Sequence, residues 1–251
     1  MGAFKDIGVE RIGHVALIQE IAGALEALDE DISCRAVVLA AQGKSFCAGA
    51  NFGDGSTLDK SGQRPGELNR EAAVQHLYLE GNRLFRTRKP IVVAVHGAAI
   101  GGGLGLAMVG DFRVACPEAR FAANFTRLGF HPGFGLTVTL PAVVGATKAA
   151  LMFYTSRRVG GEEAHAMGLA DVLVPQNEVR DAAVKLAAEI AENAPLALVS
   201  TRATMRGDLA DRVLKATEHE LVEQTRLRKT EDFKEGVKAT AERRLPNFAG
   251  R

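Results

Sequence analysis

Two short glycine-bearing stretches could hold an oxygen that turns negative during a reaction. Ile91-Val92-Val93-Ala94-Val95-His96-Gly97-Ala98-Ala99-Ile100-Gly101-Gly102-Gly103-Leu104 reads as a β-branched strand, a turn, and glycines that open a helix. The first turn of a helix exposes unpaired N–H groups and a partial positive charge, which together attract an oxyanion. Lys44-Ser45-Phe46-Cys47-Ala48-Gly49-Ala50-Asn51 follows a second apolar run, Ala36-Val37-Val38-Leu39-Ala40-Ala41. Small residues there let a ligand come close to the main chain, so the two stretches read as halves of one oxyanion hole.

Strands and helices must alternate to bring the halves together. The pattern predicts a strand over Ile12–Leu17, then a helix with Ile18, Ile21, Ala22, Leu25 and Leu28 on one face, then a strand over 36–41. Residues 51–69 lack periodicity and read as an exposed loop over the site. A helix carrying Val74, Leu77, Tyr78, Leu84 and Phe85 ends near Pro90. Strand 91–95, the Gly102 helix and strand Phe112–Cys116 repeat the alternation, an α/β architecture with buried strands. After Pro195 the periodicity is helical only, over Ala197–Arg206, Leu209–Arg226 and Asp232–Arg244.

With 251 residues, 47% hydrophobic and 24% charged, the chain has the composition of one globular unit with a helical extension. A net charge of +1 with interleaved signs offers no field for a polyanion, which argues against nucleic acid as partner. Cysteines at 34, 47 and 116 have no metal-ligand spacing, and their odd count fits a reducing compartment, so the expected location is the cytoplasm. No run is long enough to span a membrane, and no secretory leader is read at the start. The G-x-G-x-x-G pattern breaks at Leu106 or Met108, and neither a P-loop, a G-x-S-x-G elbow nor an H-E-x-x-H pair occurs.

The ordered set Gly43–Asn51, Lys89-Pro90 through Gly110-Asp111, Leu128–Gly145, Gly168-Leu169 through Pro175, and Asp232-Phe233 to Arg244 resembles the enoyl-CoA hydratase/isomerase family, the crotonase superfamily. The resemblance implies a spiral of strand-strand-helix units over 1–194 and a C-terminal helical trimerisation region over 195–251, assembled as a trimer or a pair of trimers. It implies a coenzyme A thioester as substrate, with no other cofactor and no metal, and Ala50 and Gly102 N–H groups on the thioester oxygen. It further implies that Lys44, Ala48 and Arg243 hold the coenzyme A moiety, Lys44 near the adenine end and Arg243 near the 3′-phosphate. Phe52, Tyr78, Leu79, Phe125 and Phe134 are candidates to line an apolar acyl pocket.

The chain departs from that family at the proton-transfer positions. The two glutamates of family hydratases fall on Gly105 and Phe125, and a third carboxylate used by some isomerases falls on Gly133. Water addition needs a general acid and base. His131 is the remaining candidate acid/base group in the Leu128–Gly133 loop, with a turn histidine as the alternative. His96 reads as structural, and His76, Glu71, Asp54 and Asp59 as surface groups of the covering segment. Relatives also carry an extra stretch near the start, whereas here Val15-Ala16-Leu17 runs straight into Ile18-Gln19-Glu20, with no room for the roughly 2 to 6 residue loop usual between strand and helix. The readings left open are a hydratase, an isomerase or hydrolase using His131, and a non-catalytic acyl-CoA binder.

Overall fold

The computed structural model describes residues 14–49 and 80–251. It opens with α1 (His14–Glu30), so residues 14–17 of the strand expected over Ile12–Leu17 are helical instead, while 12 and 13 lie outside the described residues. No Gly, Pro or Asn separates Leu17 from Ile18, and a helix already nucleated propagates through such a run at little cost. The connection that looked too short is therefore the interior of one helix.

Among the described residues seven strands follow: β1 (Val37–Ala40), β2 (Ile91–Val95), β3 (Ala98–Ile100), β4 (Phe112–Ala115), β5 (Arg120–Ala122), β6 (Val159–Gly160) and β7 (Val172–Leu173). They form two sheets, ordered β1-β2-β4-β7 and β3-β5-β6. The first is parallel throughout, with Val38 opposite Val92 and Val93 opposite Arg113. In the second, β3 and β5 are parallel and β6 is antiparallel. Every residue of β2 is buried, as expected of a parallel strand covered on both faces.

Twice the chain makes the same excursion: β2 turns a corner into β3 and then α2 (Gly102–Ala107), and β4 turns into β5 and then a 3₁₀ turn at Thr126–Leu128. This is the spiral of strand-strand-helix units expected from the resemblance. Corners of this kind need small residues. A Cβ on Gly97 would lie 2.4 Å from the Lys44 carbonyl oxygen.

Residues 80–84 are the described end of the helix expected before Pro90, and Leu84 and Phe85 are buried. α3 (Leu136–Val144) and α4 (Ala146–Thr155) precede the short α5 (Gly161–Ala166), and α6 (Val179–Ala191) lies across β1, β2 and β4. The C-terminal helices α7 (Pro195–Arg206), α8 (Leu209–Leu227) and α9 (Glu231–Ala241) fall where periodicity placed them. Their inner faces dock on the body of the same chain. Glu220 of α8 is fully buried and accepts from Gly135 N (2.8 Å), Thr137 N (3.2 Å) and Thr137 Oγ1 (2.6 Å), so its carboxylate caps α3 from a distant helix.

Beneath the first sheet α7 is tied by buried charge. Asp111 accepts from Arg202 Nε at 2.9 Å, Arg206 Nε at 3.0 Å and Ile91 N at 2.8 Å. Arg202 also donates to the Thr87 carbonyl, and Arg113 pairs with Asp171. Burial lowers the proton affinity of Arg206, with Asp111 opposing and Arg202 adding to the effect. Among the described residues no group of His, Cys, Asp and Glu could hold a metal ion, and no helix is long and apolar enough to cross a membrane.

Candidate active site

The site begins with a backbone turn that glycine alone adopts readily. Gly101 has φ 57° and ψ −118°, a conformation that a Cβ makes costly. Its N–H donates to the Ala122 carbonyl (2.8 Å) and its carbonyl accepts from Gly105 N (3.1 Å), which fixes the turn from both sides. Gly102 is then the first residue of α2. Its N–H has no partner among the described residues, and a Cβ placed on it meets nothing within 4 Å.

The segment ending at Gly49 is laced to this turn. Cys47 bridges Ala99 in parallel, its N–H donating to Ala98 O (2.8 Å) and its carbonyl accepting from Ile100 N (3.0 Å). A Cβ on Gly103 would lie 1.9 Å from that same Cys47 carbonyl, and one on Gly49 2.6 Å from the Ile100 carbonyl. The two glycine-bearing stretches that sequence paired are thus in main-chain contact. Burial pushes the Cys47 thiol up, only partly offset by a hydrogen bond from the Gly49 main chain, so the sulfur beside this turn stays a thiol rather than a thiolate nucleophile. Ala50, Phe52, Tyr78 and Leu79, like Asp54, Asp59, Glu71 and His76, lie outside the described residues.

The positions where family hydratases keep glutamate are packed with phenylalanine. A Cβ on Gly105 would come within 2.7 Å of both Cβ and Cδ1 of Phe134 and 2.8 Å of its Cγ. Phe134 is buried, holds a left-handed φ of 63°, and also packs on Gly81 and, with ring centroids 6.5 Å apart, on Phe85. Its ring fills the space that a side chain at 105 would take. Phe125 is buried too; its Cζ lies 3.8 Å from the point where a Cβ on Gly101 would sit, and its ring meets Phe130 edge-on at 5.5 Å. Neither ring was assignable to this packing from sequence, because each contact crosses many residues of chain.

Gly105→Ala is therefore expected to destabilise the fold by about 1–3 kcal/mol through overpacking, and Phe134→Ala in the same chain to relieve most of that cost. Denaturation midpoints of the two single variants and the double variant check it; strictly additive losses would rule out the direct clash.

The structure places His131 against α8. Its Nδ1 lies 2.8 Å from the Pro132 carbonyl, its ring meets His219 at 5.8 Å, and its own carbonyl accepts from Gln224 Nε2 at 2.8 Å. A carbonyl partner assigns the proton to Nδ1 and leaves Nε2 as the acceptor. Glu223 of α8 is held below the usual carboxylate range, chiefly by Arg226, with lesser pulls from His219 and His131. His96 behaves as the structural residue expected, with Nε2 2.9 Å from the Gly43 carbonyl and its own carbonyl accepting from Gln176 Nε2.

Lys44 and Ala48 are exposed on either side of buried Phe46. Arg243 is exposed at a left-handed φ of 55° where α9 ends, and it enters no ion pair among the described residues while Arg244 pairs with Glu235 and Glu242. One polar side chain beside the glycine turn has no sequence signal of its own. Asn124 Oδ1 stands 3.5 Å from the point where a Cβ on Gly101 would sit.

A family model described as enoyl-CoA hydratase/isomerase matches residues 14–251. The chain is 32% identical over 235 residues to a crotonyl-CoA hydratase of Syntrophomonas wolfei, covering 91% of this chain and 86% of that protein. It is 29% identical over 233 residues to a 1,2-epoxyphenylacetyl-CoA isomerase of Escherichia coli, covering 92% and 87%. The crystal structure of an enoyl-CoA hydratase/isomerase from Pseudoalteromonas atlantica superposes with a TM-score of 0.79 at 29% identity, covering 93% of this chain and 89% of that one. With the glycine turn, the two-sheet spiral and the docked C-terminal helices in place, this chain belongs to the enoyl-CoA hydratase/isomerase family.

Proposed function

We propose that the protein is an enzyme acting on an acyl- or enoyl-CoA thioester, with the N–H groups of Gly102 and Ala50 binding the thioester oxygen. The observation that carries this reading is the Gly102 N–H at the start of α2, without a partner among the described residues, with Cys47 and Gly49 packed against the same turn. Two preorganised donors stabilise an enolate or tetrahedral oxyanion more than they stabilise the ground-state carbonyl. Lys44, Ala48 and Arg243 hold the coenzyme A moiety, and the exposed Arg243 guanidinium, with no ion pair among the described residues, suits a phosphate. Coenzyme A enters as part of the substrate, and no separate cofactor is assigned.

Two-carboxylate hydration is not the reaction favoured. Gly105 and Phe125 carry no proton, and Phe134 occupies the room a glutamate at 105 would need. Among proton-carrying groups of the described loop His131 is the second reading, as an isomerase or hydrolase base, supported by its Nδ1 anchor on the Pro132 carbonyl. The C-terminal helices display Leu196, Met205 and Val222 to the outside, which supports a trimer or hexamer built on residues 195–251. Localisation in the cytoplasm follows from the cysteine count alone.

The test is a panel of CoA thioesters followed by calorimetry and by the absorbance of crotonyl-CoA. Binding of acyl-CoA with little or no hydration of the crotonyl double bond is the expected outcome. Rapid crotonyl hydration overturns the exclusion of hydratase chemistry, and failure to bind any acyl-CoA overturns the substrate class. Loss of turnover in His131→Ala on a thioester converted by the wild type supports the imidazole as base, and unchanged turnover removes it.

A further inference from the structure

Asn124 is a polar residue beside the glycine turn. It sits two residues beyond β5, between Ala122, whose carbonyl holds Gly101 N, and Phe125, whose Cζ lies 3.8 Å from the same Cβ position on Gly101 that Asn124 Oδ1 approaches. It is half-buried, and its carboxamide makes no hydrogen bond with any described residue, although it carries two donors and an acceptor oxygen. Its Oδ1 and the Phe125 Cζ stand 3.5 Å and 3.8 Å from the point where a Cβ on Gly101 would sit. A half-exposed carboxamide with no hydrogen bond to a described residue keeps its two donors and its acceptor open to a ligand.

We propose that Asn124 determines which acyl group is accepted, by hydrogen-bonding an oxygen on the third carbon of the acyl chain. The inference rests on the reading that Gly102 N–H holds the thioester carbonyl. With that oxygen on Gly102, the second and third carbons lie within two bonds of the carbonyl carbon, beside the Gly101 turn that Asn124 borders. The substrate class is then a 3-oxygenated acyl thioester, carrying a ketone, hydroxyl or carboxylate oxygen there, rather than a plain hydrocarbon chain. With no hydrogen bond to a described residue to fix it, the carboxamide can present its Nδ2 donor to a ketone or carboxylate, or its Oδ1 acceptor to a hydroxyl. Asn124 neither titrates nor moves a proton. Its role is recognition.

The experiment is calorimetric titration of the wild type and Asn124→Leu with acetoacetyl-CoA, 3-hydroxybutyryl-CoA, malonyl-CoA and butyryl-CoA. At least one oxygenated ligand is expected to bind the wild type about tenfold more tightly than butyryl-CoA, the size of one good hydrogen bond. Asn124→Leu, close in shape but without the amide, is expected to abolish that preference while keeping butyryl-CoA within about twofold. Which oxygenated ligand wins identifies the ketone, the hydroxyl or the carboxylate. The preference should also be level between about pH 6 and 9, whereas one carried by an imidazole would break near pH ~6.5. Should Asn124→Leu not fold, Asn124→Ala makes the same comparison. Equal binding of all four ligands by the wild type, or a preference that survives substitution, overturns the inference and leaves the thioester reading standing. If no acyl-CoA binds at all, it is the thioester reading that fails, and this inference with it.

Discussion

Gly102→Val is expected to keep the fold and to lose turnover by roughly 10²- to 10³-fold, the usual effect of removing one oxyanion donor. Gly102 is not among the glycines with positive φ, so a valine can adopt its backbone. A Cβ there meets nothing within 4 Å, so the valine is accommodated by the fold, and its branched side chain adds bulk beside the N–H proposed to hold the substrate oxygen. Its neighbour behaves oppositely. The same Cβ on Gly103 would lie 1.9 Å from the Cys47 carbonyl, so Gly103→Ala attacks the packing of the two segments instead of the chemistry. Unfolding midpoints together with kcat on a thioester the wild type converts separate the cases. A folded Gly102→Val enzyme at full rate would falsify the oxyanion assignment.

Asp111→Ala is expected to destabilise the protein by about 3–5 kcal/mol, because it leaves buried guanidinium groups facing one another without their shared carboxylate. Arg202 and Arg206 both donate to Asp111, and Arg202 Nη2 and Arg206 Nη1 are already buried without hydrogen-bond partners. Burial and Arg202 both work against the charge of Arg206, and Asp111 is the group that opposes them. The same carboxylate accepts from Ile91 N at the start of β2, so its loss also frees an edge of the central strand. In a chain of 251 residues the effect corresponds to a fall of roughly 10 °C or more in the unfolding midpoint. A double variant Asp111→Ala, Arg202→Met should recover part of the loss, since it removes one of the stranded charges. A drop of less than about 1 kcal/mol in the single variant would show the network to be solvated.

Several periodic or local signals are matched by the described elements. β2 was legible as an unbroken β-branched run, α2 as glycines after a strand, and α7 to α9 as three amphipathic stretches after Pro195. The strand expected over Ile12–Leu17 shows the limit of that signal. A short apolar run suits a strand or a buried helix equally, and in α1 the neighbouring helical residues decide it. His96 and Pro132-anchored His131 could be placed on turns from sequence, but His219 and Gln224 as neighbours of His131 could not. Glu220 carries no motif either, and its role appears only when α8 lies across the start of α3.

The sequence by itself determined the backbone of the site and the absence of side chains at 105 and 133, because a glycine's freedom is a local steric property. It also showed, through the family resemblance, that glutamates were missing where a hydratase keeps them. Only the tertiary structure decided what stands in their place. Phe134 fills the space over Gly105, and Phe125 and the polar Asn124 both stand beside the Gly101 turn. Packing is decided by residues far apart in the chain meeting at fixed volume, and no local pattern encodes that meeting.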